Sequence, residues 1–394
     1  MLTPRPPDPI PGARLLFGLD PAVRHLNHGS FGAVPLAVQR AQQRLRDEVE
    51  ANPVRFYASG ALEDRIAAAR RHLATFVGLD PDGCAMVANA TTGAAIVLGS
   101  FAFRPGDEIV TTDHGYGAVA LAVARACRET GAVTREVPVA LGATDDEVVG
   151  AVCAAVSSRT RLVVLDLVTS ATARLLPVAA VHASLRGTGV PLFVDAAHGP
   201  GLVTDPAPGE FWVGNLHKWA YAPRGTALLH VAERWRDAIR SRVVSWREPE
   251  GFPGSLEFGG VTDVTPWLAA PVGTYVMRTL GVDLVRQHNA ALAGYAQATV
   301  GGALGLATTD LPQPGADAGL PMRLVPLPPG VAATPEAANA LRRRIADDLQ
   351  TETAVNSWRG HGWLRLSAQV YNRPDEYEHL AERLPGFLRT AERK

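Results

Sequence analysis

The sequence has few cysteines, no long apolar run and no block of one charge. Its three cysteines, in 394 residues, lack C-x-x-C spacing. This number and spacing argue against a disulfide framework and a cysteine-rich zinc site, and they are typical of a reducing cytoplasm. No apolar run approaches the roughly 20 residues that span a bilayer. We therefore expect a soluble, cytoplasmic protein.

The chain also lacks a strong net charge. The chain has 38 basic and 39 acidic residues and no cluster of lysine or arginine, so we expect neither nucleic acid nor a membrane surface as partner. The first 12 residues, "MLTPRPPDPIPG", are rich in proline and lack the apolar core of a signal peptide, so they indicate an extended arm. A small-molecule substrate fits this composition.

Several common enzyme motifs do not occur. No G-x-G-x-x-G follows a strand, and the phosphate-loop, H-E-x-x-H and G-x-S-x-G motifs are absent. His25 and His28 in "HLNHGSFG" could suggest a metal, but no third ligand has an obvious spacing. We therefore expect no metal site.

What is present is an alternation of helical and strand-like segments. Two helices are predicted over residues 33–52 and 63–79, and a third follows "NATTG" with Thr91 or Thr92 as its N-cap. Five short apolar runs predict strands: "DEIVTTD", "RLVVLDLV", "VPLFVDAAH", "FWVGNLH" and "GTALLHV". Because these runs are continuously apolar, they indicate an α/β fold with a mostly parallel sheet covered on both faces.

The last third of the chain predicts a smaller α+β domain after a change in texture near Gly273. Its expected elements are a helix over 274–300, a loop over 308–321, a strand at 322–327, a helix with Thr334 as N-cap and Pro335 at its first position, a strand at 363–370 and a helix from Pro374. We expect an arm over 1–30, a large domain over 31–272 and a small domain over 273–394.

Polar side chains follow three of the predicted strands. They are Asp195 and His198 after one strand, His217 and Lys218 after the next, and Thr169 and Ser170 after a third. Ligands of open α/β sheets bind beyond the carboxyl ends of strands. A carboxylate there can hold a heteroaromatic nitrogen protonated, and a partly desolvated lysine can form a Schiff base.

This combination matches the needs of pyridoxal 5′-phosphate. The helix start at Thr91 and Thr92 offers backbone N–H groups and hydroxyls to a phosphate, and His217 could add a donor. His114 or Tyr116 in "TTDHGYGAV" could supply an aromatic face. Each feature alone has an ordinary explanation, such as a solvated lysine or a helix cap. Only their ordered combination favours the cofactor.

The motifs in this order resemble a known family. "LNHGSFGAVP", "ANPVRFY", "NATTG", "DHGYGAV", "FVDAAHGPG", "GNLHKWAYAPRGTALL" and "RLSAQVYN" are similar to the class V aminotransferase family of fold-type I pyridoxal-phosphate enzymes, in its isopenicillin N epimerase-like branch. The resemblance covers nearly the whole chain. It implies a large domain with a seven-stranded-type sheet between helices, a smaller α+β domain, and a homodimer with active sites at the subunit interface.

The resemblance also implies roles for individual residues. Lys218 would form the Schiff base, and Asp195 would face the pyridinium nitrogen. The other expected cofactor contacts are His198 and Ser170 near the 3-hydroxyl, Thr91, Thr92 and His217 at the phosphate, and Tyr116, or else His114, against the ring. Near the substrate we expect Arg365 at the carboxylate, with Asn27, Arg55 and His28 close by.

The chain departs from the branch in two places. Val261 stands where the branch has a threonine that reaches the phosphate of the partner subunit, so either Thr262 substitutes or that contact is absent. The usual Asp-Gly-Ala-His is "DAAH" here, which adds a methyl group at Ala196 beneath the cofactor.

Several reactions remain open on this basis. No cysteine lies shortly before Arg365, which argues against a persulfide-forming desulfurase. We favour a C–S β-lyase acting on a cysteine S-conjugate, in thiol or natural-product metabolism, with Lys218 taking the α-proton. The alternatives are decarboxylating or oxidative deamination of such a conjugate, transamination, and epimerisation with His28, His114 or Tyr116 as a second acid/base. A non-catalytic cofactor-binding dimer is the alternative from another class, against which the intact Lys218, Asp195 and Arg365 count.

Overall fold

The computed structural model describes residues 5–315 and 319–391, in two units. The seven-stranded unit comprises residues 34–169 and 176–277, and the terminal unit comprises the described residues of 1–33, 170–175 and 278–394. Residues 1–4 of the predicted arm and 316–318 of the predicted loop lie outside the described residues. The domain boundaries expected from the sequence stay a prediction.

Helices and strands alternate along most of the chain. The helices of the described residues are α1 His28–Phe31, α2 Leu36–Ala51, α3 Pro53–Ala58, α4 Ala61–Val77, α5 Ala90–Gly99, α6 Gly117–Thr130, α7 Asp145–Ala155, α8 Val178–Leu185, α9 Leu216–Trp219, α10 Gly254–Glu257, α11 Thr265–Leu280, α12 Val282–Ala303, α13 Pro335–Leu349 and α14 Pro374–Ala391. The strands are β1 Arg24–His25, β2 Cys84–Val87, β3 Glu108–Thr112, β4 Val133–Val137, β5 Thr160–Asp166, β6 Leu192–Asp195, β7 Phe211–Asn215, β8 Ala227–Val231, β9 Met322–Pro326, β10 Thr351–Glu352, β11 Ala354–Trp358 and β12 His361–Ser367.

The seven-stranded unit is built on one sheet with the strand order β2-β8-β7-β6-β5-β3-β4. Strand β8 runs antiparallel to both of its neighbours, and the other strands are parallel to one another. All five strands expected from the apolar runs occur. Nearly all of their side chains are buried, which explains why the runs are continuously apolar. The α/β fold with a mostly parallel sheet is confirmed.

Two strands of this sheet were not expected from the sequence. Strand β2 has only four residues, too few to show a period. Strand β4 lies at the edge of the sheet, and its first four side chains are exposed, with a threonine, an arginine and a glutamate among them. Polar side chains are a common way to protect an edge strand, and they remove the apolar signal that predicts a strand.

Helix α5 packs directly on strand β7. A Cβ added at Gly93 would lie 2.5 Å from Cγ2 of Val213, so only a glycine allows this approach. The N-cap of α5 is Asn89, whose side chain accepts from the N–H of Thr92, and not Thr91 or Thr92 as predicted. The asparagine side chain reaches the exposed N–H groups of the first turn, which is the usual N-cap role.

The terminal unit contains a three-stranded antiparallel sheet, β11-β12-β9, and a short parallel pair of β1 with β10. Apolar side chains of α12, α13 and α14 form one core with this sheet. The predicted start of α13 at Thr334 and Pro335 is confirmed, and so is the start of α14 at Pro374. Leu341 and Ile345 of α13 are buried, as their spacing indicates.

The single helix expected over 274–300 is wrong. Helix α11 ends at Leu280 and α12 begins at Val282, because Gly281 between them has φ 85° and interrupts the helical backbone. Over the described ranges, no helix is both long and apolar enough to cross a membrane.

Candidate active site

The carboxyl ends of six strands meet at one edge of the seven-stranded sheet. All strands of this sheet except β8 point toward this edge, since they run parallel to one another. The segments that follow them carry most of the predicted cofactor residues. This edge is where an open α/β sheet binds its ligands.

Lys218 lies on α9, a single helical turn that follows β7 directly. Its side chain is buried, with 9% of the residue exposed. Its Nζ is 3.1 Å from Nε2 of His198, which follows β6. The lysine is therefore a buried amine in a polar contact and not a solvated surface charge.

His198 is held from its other side by Trp219. The indole N–H of Trp219 donates to Nδ1 of His198 at 3.2 Å. Both residues are almost completely buried. Both ring nitrogens of His198 therefore have a defined neighbour, the indole on one side and Lys218 on the other.

Asp195 has one carboxylate oxygen engaged and one open. Its Oδ1 accepts from the N–H of Ala197 at 3.0 Å, while its buried Oδ2 has no hydrogen-bond partner among the described residues. Burial raises the pKa of Asp195, although the Ala197 N–H and the charge of Lys218 act in the opposite direction. A buried acceptor without a donor fits a protonated pyridine nitrogen, which would supply that hydrogen bond and stabilise the carboxylate.

A second buried carboxylate, Asp166, was missed by the reasoning from sequence. It ends β5 directly opposite Asp195 in the parallel register and accepts from the backbone N–H of Tyr116. Burial raises the pKa of Asp166 well above its usual range, and the charge of Asp195 raises it further. The available signal was a charged residue inside the otherwise apolar run "LVVLDLV".

The start of α5, where the sequence predicts a phosphate site, is a helix N-terminus with a side-chain cap. Asn89 accepts from the N–H and the hydroxyl of Thr92, and the N–H of Ala90 donates to Oδ1 of Asn215 at the end of β7. These bonds fix the exposed first turn, with Thr91 and Thr92, beside the strand that leads to Lys218. A helix N-terminus of this kind suits a dianionic phosphate.

His217 has a more restricted role than the sequence indicated. Its Nδ1 donates to the carbonyl of Thr226 at 3.1 Å, and burial lowers its pKa to about 4. In the neutral ring the other nitrogen therefore has a lone pair and no hydrogen. His217 can donate to a phosphate only after taking up a proton, which a nearby dianion would favour.

The loop between β3 and α6 carries the two candidates for a stacking ring. Tyr116 is the N-cap residue of α6, and 41% of it is exposed. His114 is buried, and its Nε2 donates to the carbonyl of Val139 at 2.8 Å. An exposed ring can cover a cofactor, so the geometry favours Tyr116 over His114 for that role.

Arg365 lies in the terminal unit on β12 and is buried. Its four hydrogen bonds within the described residues go to neutral oxygens, of Ser170, Asn27 and Ser30. Its buried Nε has no partner there. Burial lowers the pKa of Arg365 to about 10, so the guanidinium stays charged at neutral pH. A charged guanidinium that is held in place by neutral oxygens suits an anionic ligand, such as a carboxylate.

Arg55 and Thr262 are exposed in the seven-stranded unit, whereas His28 is buried in the terminal unit. Arg55 is exposed on α3, and Thr262 is exposed with its carbonyl accepting from the hydroxyl of Tyr57. Val261 is also exposed. His28 is fully buried in the terminal unit, with Nδ1 3.0 Å from the hydroxyl of Tyr371 and Nε2 3.2 Å from the side-chain nitrogen of Gln369.

The sheet and its carboxyl edge define the class of this protein. A buried lysine, an open buried carboxylate and a helix start that suits a phosphate fit pyridoxal 5′-phosphate in a fold-type I enzyme. Solved structures agree on the fold. The C–S lyase C-DES with glycine linked to its PLP cofactor gives a TM-score of 0.79 at 21% identity, covering 96% of this chain and 99% of that one. Apo cysteine desulfurase from Thermococcus onnurineus NA1 gives 0.78 at 16% identity, covering 98% and 100%.

The chain belongs to the class-V aminotransferase family, whose model matches residues 33–302. It is similar to isopenicillin N epimerase of Amycolatopsis lactamdurans, with 33% identity over 94% of this chain and 97% of that protein. It is also similar to L-cysteine desulfhydrase of Arabidopsis thaliana, with 27% identity over 93% and 88%. The predicted family, branch and cofactor are confirmed: this is a pyridoxal-phosphate-dependent enzyme that acts on amino acids, and its desulfhydrase relatives support the lyase class.

Proposed function

We propose that the enzyme is a C–S β-lyase that acts on a cysteine S-conjugate. The observation that carries the proposal is the buried Lys218 amine, 3.1 Å from His198 and on the same sheet edge as Asp195. When bound, pyridoxal phosphate supplies an electron sink that acidifies the α-hydrogen of an attached amino acid. β-Elimination then needs one positioned base, and Lys218 is that base.

The steps follow from this assignment. Lys218 Nζ takes the α-proton, and the electron pair of the Cα–H bond forms a Cα=Cβ double bond. The Cβ–S bond breaks, the thiolate leaves with its electron pair and takes up a proton, and water hydrolyses the released 2-aminoacrylate to pyruvate and ammonia. We assign Asp195 to the pyridinium nitrogen, Tyr116 to the ring face, the first turn of α5 to the phosphate and Arg365 to the substrate carboxylate.

The cysteines support elimination over persulfide formation. All three are free thiols, and none lies in the segment before Arg365. Burial raises the pKa of Cys84 to about 12, so that thiol is a poor nucleophile. Free thiols also fit a reducing compartment, and we place the enzyme in the cytoplasm as a homodimer.

Epimerisation is the second candidate, favoured by the isopenicillin N epimerase relatives. It needs a second acid/base opposite Lys218. Of the three candidates, His28 and His114 are buried and hydrogen-bonded to other groups, while Tyr116 is partly exposed. Tyr116 would therefore have to return the proton in an epimerase, and Tyr116→Phe would abolish inversion while leaving elimination.

One incubation separates the reactions. The purified enzyme is mixed with S-methylcysteine in heavy water, and pyruvate, carbon dioxide and deuterium at Cα are followed. Pyruvate without carbon dioxide is expected. Carbon dioxide release would indicate decarboxylating deamination, and inversion with exchange but no pyruvate would indicate the epimerase. No change with this or longer S-conjugates would favour the non-catalytic dimer.

The cofactor assignment has its own test. The enzyme should show a near-visible absorbance band that borohydride bleaches, and Lys218→Ala should lose it. The chain has only one other lysine, Lys394, so Lys394→Arg is a matched control that should keep the band. A Lys218→Ala variant that keeps a borohydride-sensitive band would refute the role of Lys218.

A further inference from the structure

Trp219, His198 and Lys218 form a chain of three buried polar groups. The indole N–H of Trp219 lies 3.2 Å from His198 Nδ1, and His198 Nε2 lies 3.1 Å from Lys218 Nζ. Trp219 is adjacent to Lys218 in sequence. The two side chains are also linked in space, because both contact His198, which follows another strand. No role was assigned to Trp219 from the sequence.

The hydrogen atoms of this chain follow from its chemistry. An indole nitrogen can only donate, so Nδ1 of His198 must offer its lone pair. A neutral imidazole carries one ring hydrogen, which is then on Nε2. The contact from Nε2 to Lys218 is therefore a hydrogen bond only if Nζ accepts, and an amine accepts only when it is uncharged.

We propose that Trp219 is a positioning residue that sets the tautomer of His198 and thereby holds Lys218 as an uncharged amine. The uncharged form is the one that attacks the carbonyl of a cofactor and takes a proton from a substrate. The proposal rests on the proposed function only in taking Lys218 as the reactive amine, and it does not depend on which bond is broken afterwards.

The other titratable groups around Lys218 are compatible with an uncharged amine. Asp195 ends β6, Asp166 ends β5, and His217 precedes Lys218 on α9. Burial is the largest influence on all three: it raises the pKa of both carboxyls, which a charge on Lys218 would oppose, and it lowers the pKa of His217. Each group is thereby biased toward its neutral form, which weakens any stabilisation of an ammonium at Lys218.

Removing the indole N–H of Trp219 should shift Lys218 from the uncharged amine toward the charged ammonium. In Trp219→Phe, Nδ1 of His198 loses the N–H group that donates to it. His198 can then adopt the other tautomer, with the ring hydrogen on Nδ1. Nε2 then has a lone pair that accepts from an ammonium at Lys218. The charged amine is stabilised by one hydrogen bond, so we expect about tenfold slower capture of the cofactor near neutral pH.

The test measures cofactor capture by the full-length chain after pyridoxal phosphate is removed with hydroxylamine. The rate at which the near-visible band returns is followed against pH, and borohydride trapping with peptide mass spectrometry confirms attachment at Lys218 and not at Lys394. Trp219→Phe should move the rate profile about one unit toward higher pH and recover the wild-type rate in alkali.

Trp212→Phe is the matched control. Trp212 is also a fully buried indole, and its N–H donates to the carbonyl of Pro206 and not to His198. This variant loses a comparable hydrogen bond and should keep the wild-type profile. An unchanged profile in Trp219→Phe, or the same shift in both variants, would overturn the proposal.

A second measurement covers the case in which Trp219→Phe does not fold. Nitrogen-15 NMR of histidine-labelled wild-type protein reports the tautomer of His198, whose signal is identified by its loss in His198→Gln. We expect the hydrogen on Nε2, and a hydrogen on Nδ1 would overturn the proposal. Neither readout involves C–S cleavage, so failure of the lyase assignment is seen separately in the S-methylcysteine incubation.

Discussion

Two carboxyl groups lie opposite each other on neighbouring strands, Asp166 on β5 and Asp195 on β6. Two negative charges in such dry surroundings repel each other strongly, so the pair retains a proton more readily than two exposed aspartates do. Asp195 is the member with an oxygen open to a cofactor, and Asp166 is the member that accepts from the loop carrying Tyr116. We therefore expect Asp166 to be the neutral acid.

Asp166→Asn should stabilise the cofactor-free protein at alkaline pH. Because burial raises the pKa of folded Asp166 above its unfolded value, wild-type stability falls as pH rises through the raised pKa. Asparagine has no proton to lose, and the expected gain is of the order of 1–3 kcal/mol, fading toward acid. Urea unfolding at mildly acidic and alkaline pH measures this difference.

The exposed Asp237 in the same unit offers the control. Asp237→Asn should change the free energy of unfolding by less than about 0.5 kcal/mol at either pH. If Asp166→Asn is instead destabilising, and more so in alkali, Asp166 acts as an anion in the folded protein and our assignment is wrong.

At the level of secondary structure, helix α5 links its first turn, which we propose as the phosphate site, to the strand that leads to Lys218. Its N-cap and first N–H are tied by Asn89 and Asn215, and its Gly93 touches Val213 of β7. The positive end of the α5 dipole lies at the sheet edge that also carries Lys218. The packing of α5 on β7 therefore fixes the distance between the proposed phosphate site and the strand that leads to Lys218.

Gly93→Ala should push α5 away from β7. The added Cβ would lie 2.5 Å from a buried methyl group of Val213, and overpacking of this kind costs about 1–3 kcal/mol. We also expect weaker retention of the cofactor, measured by its release on dilution. In contrast, Gly150→Ala in α7 meets no atom within 4 Å and should stabilise by up to about 1 kcal/mol. Equal effects of the two substitutions would contradict the packing argument.

At the scale of the whole molecule, exposed apolar side chains bear on the oligomeric state. The seven-stranded unit exposes several large apolar side chains, among them Val244, Trp246 and Val261, which are 80%, 94% and 79% exposed. Val244 and Trp246 lie two residues apart, and neighbouring exposed apolar side chains are typical of a surface that a partner chain covers. The family resemblance implies that this partner is a second copy.

Trp246→Glu combined with Val244→Glu should therefore convert a dimer into monomers. Sedimentation velocity measures the change, and Leu121→Glu on α6, where the leucine is 71% exposed, is the control that should leave the dimer intact. A monomeric wild-type protein, or a double variant that stays dimeric, would count against this surface as the interface.

The sequence predicted much of the fold because parallel strands and amphipathic helices leave local signals. The five apolar strands and the starts of α13 and α14 follow from such signals. The failures also have local reasons. Strand β2 is short, β4 is polar at an edge, and the break at Gly281 is a single backbone angle inside a helical pattern.

Lys218, Asp195 and His198 could be grouped from sequence because they follow neighbouring strands, and topology alone brings such ends together. Trp219 and Asp166 could not be grouped with them in the same way. The role of Asp166 depends on strand register, and the role of Trp219 depends on which ring nitrogen of His198 its indole contacts. Both features arise from contacts between segments that are distant in sequence. Sequence thus identifies the cofactor chemistry, whereas three-dimensional packing establishes the protonation states, because charge in a dry site depends on every neighbour.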